Sequence, residues 1–232
     1  MRTAVIWDVL RSVLPDRPVD VLDLGGGTGG FAVPLALLGH RVTLVDPSPD
    51  ALAALQRRAG DTGAAVTAVQ GDAAGLLDVV AADSADLVLC HGVLEHVDEV
   101  APALRSVAEV LRPGGVLSLQ VAHRNAVVLA RAVAGRFAEA RAALTDDEGR
   151  WGPADPLPRR FTEAGIRDAV AAVGLAVRDT HGVPTLADLV PAAVSDADPD
   201  AIAELVELER LAAGRPELRA FATSLHVLAT RG

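Results

Sequence analysis

The chain of 232 residues contains no lysine and no tyrosine, one cysteine, one methionine and only 3% aromatic residues. Without lysine, no side chain can form a Schiff base, and without tyrosine no phenol can serve as an acid or a base. A single cysteine, Cys90, excludes an internal disulfide and any cysteine-based metal cluster. No uncharged apolar run reaches membrane-spanning length. The opening Met1-Arg2-Thr3 runs into an amphipathic stretch carrying Trp7 and Asp8, not a signal peptide. These absences predict a cytoplasmic protein with no membrane partner. Positive charge is also scarce. The net charge is −10, made up of −7 over residues 1–120, +1 over residues 121–180 and −4 over residues 181–232. An acidic chain is a poor general nucleic-acid binder, because affinity there comes largely from phosphate neutralisation. Only the arginine-richer middle segment is suited to face an anion, and a solvated helical surface accounts for most of those arginines equally well.

Half of the residues are hydrophobic, enough for a substantial core, and the length fits one domain. Apolar residues at helical spacing predict a helix over 2–14, which Pro15 and Pro18 stop. From there strands and helices alternate. Strands are predicted at 19–24, 41–45, 64–70, 85–90 and 116–121. Helices fall between them at 31–38, 50–59, 73–80 and 98–111. Five β-α repeats imply an α/β fold with a parallel, doubly wound sheet and right-handed crossovers. The rhythm then breaks. Residues 123–160 form a helical insertion with a polar, proline-rich loop, positioned above the carboxyl ends of the strands, where ligands bind. A helix over 162–173 with Thr162 as N-cap, a sixth strand at 175–180, a mostly helical stretch at 184–213 and a last strand at 221–229 complete a single domain spanning 1–232.

One stretch organises the rest: Val21-Leu22-Asp23-Leu24-Gly25-Gly26-Gly27-Thr28-Gly29-Gly30. An apolar strand ends in an acid, a glycine cluster follows, and a helix begins. Glycines let the backbone approach a ligand closely, and the helix behind them offers unpaired N–H groups. Gly25, Gly27 and Gly30 satisfy the dinucleotide pattern G-x-G-x-x-G, and Asp23, Gly25, Gly27 and Gly29 satisfy D-x-G-x-G-x-G. Asp46 ends the second strand about 20 residues on, where a carboxylate can accept both hydroxyls of a ribose. It can equally flank the helix that Pro47-Ser48-Pro49-Asp50 opens. Asp72, followed by Ala73, stands past the third strand, placed for an adenine amino group or as an N-cap for the next short helix.

The acid-and-glycine loop, Asp46, Gly71-Asp72 and Leu111-Arg112-Pro113-Gly114-Gly115-Val116-Leu117 together resemble class I S-adenosylmethionine (SAM) methyltransferases. Leu89-Cys90-His91-Gly92-Val93-Leu94-Glu95, Ala134-Gly135-Arg136-Phe137, Pro158-Arg159, Leu205–Glu209 and His226-Val227 look like the bacterial tRNA 5-carboxymethoxyuridine methyltransferases, which esterify a carboxylate on a wobble uridine. The chain departs from that pattern at Leu157, where the family shows tyrosine, and at His96, where tryptophan is usual. The resemblance implies a Rossmann-like, seven-stranded sheet with its last strand antiparallel, and helical cap insertions at about 123–160 and 184–213. It implies SAM as co-substrate and no metal. The implied cofactor-binding residues are Asp23, Gly25, Gly26, Gly27, Gly29, Asp46, Asp72, Ala73 and His91. The acceptor is then a tRNA anticodon loop or an anionic small molecule.

Methyl transfer from a sulfonium needs alignment more than acid–base power. A carboxylate acceptor is already ionised at neutral pH and needs no base, and Arg159 is the side chain suited to orient it by a bidentate contact. His91, at the end of the fourth strand, is open to three readings: a cofactor contact, a base for a hydroxyl acceptor, or a packed histidine. Its distance in sequence from His96 is not the i, i+4 spacing of a zinc pair.

Overall fold

The computed structural model describes residues 3–191 and 199–232. In chain order the elements are α1 (Ala4–Val13), β1 (Asp20–Leu24), α2 (Ala32–Leu37), β2 (Arg41–Asp46), α3 (Pro49–Thr62), β3 (Val66–Gln70), α4 (Leu76–Val79), β4 (Ala85–His91), α5 (Val100–Val110), β5 (Leu111–Ala122), α6 (Arg124–Val133), α7 (Phe137–Thr145), α8 (Glu163–Ala172), β6 (Leu175–Gly182), α9 (Pro199–Ala213), α10 (Pro216–Arg219) and β7 (Ser224–Arg231). The strands form one sheet in the order β3-β2-β1-β4-β5-β7-β6. β1 pairs in parallel with β2 and β4, and β2 pairs in parallel with β3. Val183 and Ser224 exchange N–H···O bonds in both directions, at 2.9 and 3.1 Å. That reciprocal exchange marks an antiparallel pair, so the last strand runs against β6, as expected.

The chain divides into two compact units. One holds Pro15–Leu119, Arg167–Arg178 and Leu228–Gly232. Its core is built on β1 and β4, whose side chains are buried almost throughout, as strands covered on both faces must be. Leu22, Leu24, Leu44, Leu89 and Leu104 are fully enclosed. α3 shows why a helix starts and stops where it does. Ser48 is extended and its Oγ accepts the N–H of Ala51 at 3.2 Å, Pro49 fills the first turn, and Gly63 closes it at φ +71°.

The other unit holds the chain up to Leu14, Gln120–Ile166 and Asp179–Val227. α6 and α7 pack as an antiparallel pair, and α1 packs against α9. The Thr162 Oγ1 accepts the N–H of Gly165 at 3.1 Å, the predicted cap of α8. No helix among the described residues is long and apolar enough to cross a membrane.

Several boundaries differ from expectation, and two of them bear on the site. β5 begins at Leu111, not at Val116: Leu111 is already extended, at φ −65° and ψ 135°, so Pro113-Gly114-Gly115 lies inside the strand. The helix expected over 73–80 is reduced to Leu76–Val79, because the Asp72 Oδ1 takes the N–H groups of Ala74 and Gly75 and fixes a turn there. Among the described residues of 184–213, a 3-10 turn at Ala187–Leu189 and α9 are helical and 184–186 are not; residues 192–198 lie outside the described residues. The buried Glu209 of α9 explains the loop before it. Its carboxylate accepts from Thr185 N–H at 2.7 Å, from Leu186 N–H at 2.6 Å and from Ala187 N–H, so those backbone groups are satisfied without a helix.

Candidate functional site

At the carboxyl end of β1 the backbone of Gly25 turns at φ +68°, and its N–H donates to Val45 O at 2.7 Å. A Cβ on Gly25 would stand 2.4 Å from Val93 Cγ2. Both the conformation and the close approach therefore demand glycine. The next residue is constrained from below: a Cβ on Gly26 would lie 2.5 Å from the Asp23 carboxyl carbon. Asp46, buried at the end of β2, fastens the loop. Its Oδ2 accepts the Gly27 N–H and its Oδ1 accepts the Ser48 N–H, each at 2.9 Å. Asp46 thus braces the glycine loop and the entry to α3 together.

These residues open onto a cavity of about 580 Å³. It lies past the carboxyl ends of β1, β2, β3 and β4. β1 is the strand from which the chain winds both ways, so this is the topological switch point where doubly wound sheets hold ligands. Of the residues the sequence nominated, Gly25, Asp46, Asp72 and Ala73 line the cavity. Asp72 is held at the rim by the two N–H groups its Oδ1 accepts, at 3.0 and 2.9 Å. The opposite wall was not foreseen. It comes from the segment between β4 and α5, with Gly92, Val93, His96, Asp98, Glu99 and Pro102. The signals available for it were the family-resembling stretch through Gly92 and Val93 and its position, since β4 neighbours β1 at the switch point.

Gly26, Gly27, Gly29, Asp23 and His91 are not among the lining residues. Asp23 sits beneath the loop, 3% exposed. Burial pushes its carboxyl up to about 7, the Ala32 N–H at the start of α2 opposes that shift, and the nearby Asp46 adds to it. Its Oδ2 has no hydrogen-bond partner among the described residues. Asp23 is therefore a support under the glycines. His91 is half-buried, its Nε2 within 2.9 Å of Ser118 Oγ and its ring edge-on to Phe31 with centroids 4.9 Å apart. Desolvation lowers it to about 4, partly offset by Ser118. An imidazole so displaced is neutral at pH 7 and poorly matched to general-base work there, which leaves packing as the reading its surroundings favour. Burial likewise pushes the Cys90 thiol up, with Glu95 and Asp23 adding to the shift, so it is inert.

In the other unit, the proline-rich loop is organised by Arg160. Arg160 and Asp155 form a buried fork-to-fork pair at 2.6 and 2.9 Å, and the Asp155 carboxylate also accepts the N–H groups of Trp151 and Leu157 at 3.0 and 3.1 Å. Arg131 lies 4.0 Å over the Trp151 ring and pairs with Glu139 at 2.9 Å. The Arg159 guanidinium pairs with Glu148.

Comparison with known proteins adds to this geometry. Residues 22–119 match the family described as "Methyltransferase domain". Over 158 residues the chain is 33% identical to the tRNA 5-carboxymethoxyuridine methyltransferase of Escherichia coli K12, covering 65% of this chain and 59% of that protein. Over 175 residues it is 31% identical to the ubiquinone biosynthesis O-methyltransferase of Methylobacterium nodulans, covering 75% of this chain and 66% of that protein. The chain thus spans about three fifths of the first relative's length. An S-adenosylmethionine dependent methyltransferase from Mesorhizobium loti superposes with a TM-score of 0.65 at 23% identity, covering 98% of both chains.

Proposed function

We propose that this chain, whose residues 22–119 match the methyltransferase domain family, transfers a methyl group from SAM to an oxygen acceptor, the carboxylate of a modified uridine at the tRNA wobble position. The observation that carries the reading is the cavity itself, where a strained glycine turn, the fastened Asp46 and the rim acid Asp72 meet at the switch point. Those groups suit the donor. The close-packed loop leaves no side chain at Gly25 to obstruct the methionine part. Asp46 keeps unused lone pairs on both oxygens for a ribose diol, and Asp72 keeps its second oxygen for an adenine amino group. SAM supplies an activated methyl carbon: an acceptor oxygen's lone pair forms the new C–O bond, and the S–C pair returns to sulfur. The chain's part is alignment. With a carboxylate acceptor no proton moves, which agrees with a neutral, packed His91.

The tRNA reading rests on the 33% identity to the E. coli enzyme of that name. A second reading, a small-molecule acid or phenol as acceptor, is favoured by the net charge of −10, by Leu157 where that family shows tyrosine, and by the similarity to ubiquinone biosynthesis O-methyltransferases. Labelled SAM offered with bulk tRNA from cells lacking the gene, and separately with a tRNA-free extract of the same cells, separates them. Label in tRNA that mild alkali removes supports the wobble ester. Label confined to the extract overturns it in favour of the second reading.

A further inference from the structure

The side chains that line the cavity sort into three kinds. Asp46, Asp72, Asp98 and Glu99 are carboxylates, which accept hydrogen bonds and do not donate them. Every other lining residue but one is apolar or glycine. The exception is His96, the one lining side chain among the described residues with an N–H to offer. An imidazole keeps such a donor in either neutral tautomer. His96 is exposed, and no described residue hydrogen-bonds its ring. Its backbone is committed instead: the His96 N–H donates to Val93 O at 2.9 Å, closing a turn that follows Gly92 at φ +68°. The turn fixes where the residue stands, and the ring is left for a ligand. All of this lining lies within the unit that holds Pro15–Leu119.

We infer that His96 recognises the methyl acceptor by donating its ring N–H to the acceptor's carboxylate. The inference rests on the proposed carboxylate acceptor and deepens it by naming the group that holds it. Transfer needs the acceptor oxygen within about 3.5 Å of the methyl carbon, so the acceptor's reacting end must enter the cavity proposed for the donor. There it meets four carboxylates that repel it and one side chain that can bond it. A carboxylate has two oxygens. One gives its lone pair to the methyl carbon, and the other is free to accept the His96 N–H. The imidazole keeps its proton throughout: the new C–O bond forms, the S–C pair returns to sulfur, and nothing else is exchanged. The acceptor loses its negative charge in the same step. The bond from His96 is therefore stronger to the bound acid than to the transition state or the ester. Such a contact contributes to acceptor binding and not to the rate of the bound complex, and it weakens as product forms.

The test begins with the unaltered protein, labelled SAM and two acceptor pools, bulk tRNA and a tRNA-free extract from cells lacking the gene. Label that mild alkali removes, in either pool, is a carboxylate ester, and that pool then serves as the acceptor. Label that resists alkali, or no label, overturns the carboxylate reading and this inference with it. His96→Phe keeps a ring and loses the donor. With the ester-forming pool it should raise the apparent KM about tenfold, while the maximal rate holds or rises. His96→Gln carries an amide N–H in place of the ring and should recover most of that loss. The affinity of both variants for SAM, by calorimetry, should match that of the unaltered protein. An unchanged KM in His96→Phe, equal losses in the two variants, a maximal rate that falls at fixed KM, or a loss of SAM affinity overturns the inference while leaving the carboxylate acceptor in place.

Discussion

Replacing Asp23 with asparagine tests the role of this acid most directly. The carboxyl is buried under Gly26, receives one backbone N–H, from Ala32, and is raised from 3.8 to about 7. The folded state therefore keeps its proton across a range in which the unfolded chain has lost it. Stability from this group is fully present below pH 3.8 and is lost as pH rises through about 7. The displacement is about 3 pH units, or about 4 kcal/mol in total at 1.36 kcal/mol per unit. Asparagine has no such titration. Its amide donors gain a constant cost where Oδ2 has no partner, about 1–3 kcal/mol, but that cost does not vary with pH. The stability of Asp23→Asn relative to the unaltered chain should then rise by about 2.5 kcal/mol between about pH 5 and pH 8. For a chain of this size that is a relative gain of about 5–10 °C in melting temperature. Denaturant titrations of both proteins without ligand, at several pH values, measure it. A difference that stays flat over that range refutes the argument that a buried, under-bonded carboxyl sits beneath the loop.

Asp46→Ala removes both braces of the loop and the proposed ribose acceptor, and should weaken SAM binding by about ten- to a hundredfold; unchanged affinity by calorimetry would make the ribose assignment wrong. Gly25→Ala meets Val93 at 2.4 Å and a positive φ, so it should cost about 1–3 kcal/mol of stability. Adding Val93→Ala relieves the clash but not the φ, so only partial recovery in a denaturant titration is expected. Asp155→Ala strands a buried Arg160 and should cost about 3–5 kcal/mol, seen as a lowered melting temperature. His91, held near 4, behaves oppositely to Asp23: its contribution is lost as pH falls from 6.5 through about 4, so His91→Gln should flatten the acid limb of the stability curve.

The sheet was legible because its signals are local. Apolar runs of β1 and β4 read as strands buried on both faces, and the glycine loop left its mark in residue type because positive φ and close contact exclude side chains. What misled was any residue whose structure depends on a distant partner. Loop 184–187 reads as helix by composition, yet Glu209, more than twenty residues on, supplies the acceptor for its N–H groups. Arg159 and Arg160 are chemically identical in sequence. Only the fold decides that Arg160 points at Asp155 and is buried while Arg159 pairs with Glu148. The wall from Gly92 to Ala103 begins in a stretch that carries a family resemblance, but its place at the cavity is specified by where the backbone runs after β4.

The three acids at or near the carboxyl ends of β1, β2 and β3 show how far a motif can carry chemistry. In sequence they are equivalent, each an aspartate at or just past a strand end. In the fold they differ in how many backbone N–H groups reach them. Asp46 accepts two, one on each oxygen, from loops on either side, and so holds a fixed orientation at the cavity. Asp72 accepts two on a single oxygen, which leaves the other turned to the rim. Asp23 receives Ala32 alone while being the most deeply buried of the three, and its carboxyl is driven upward as a result. Donor supply and burial, not the identity of the acid, separate a group that can hold a ligand from one that only supports the loop above it.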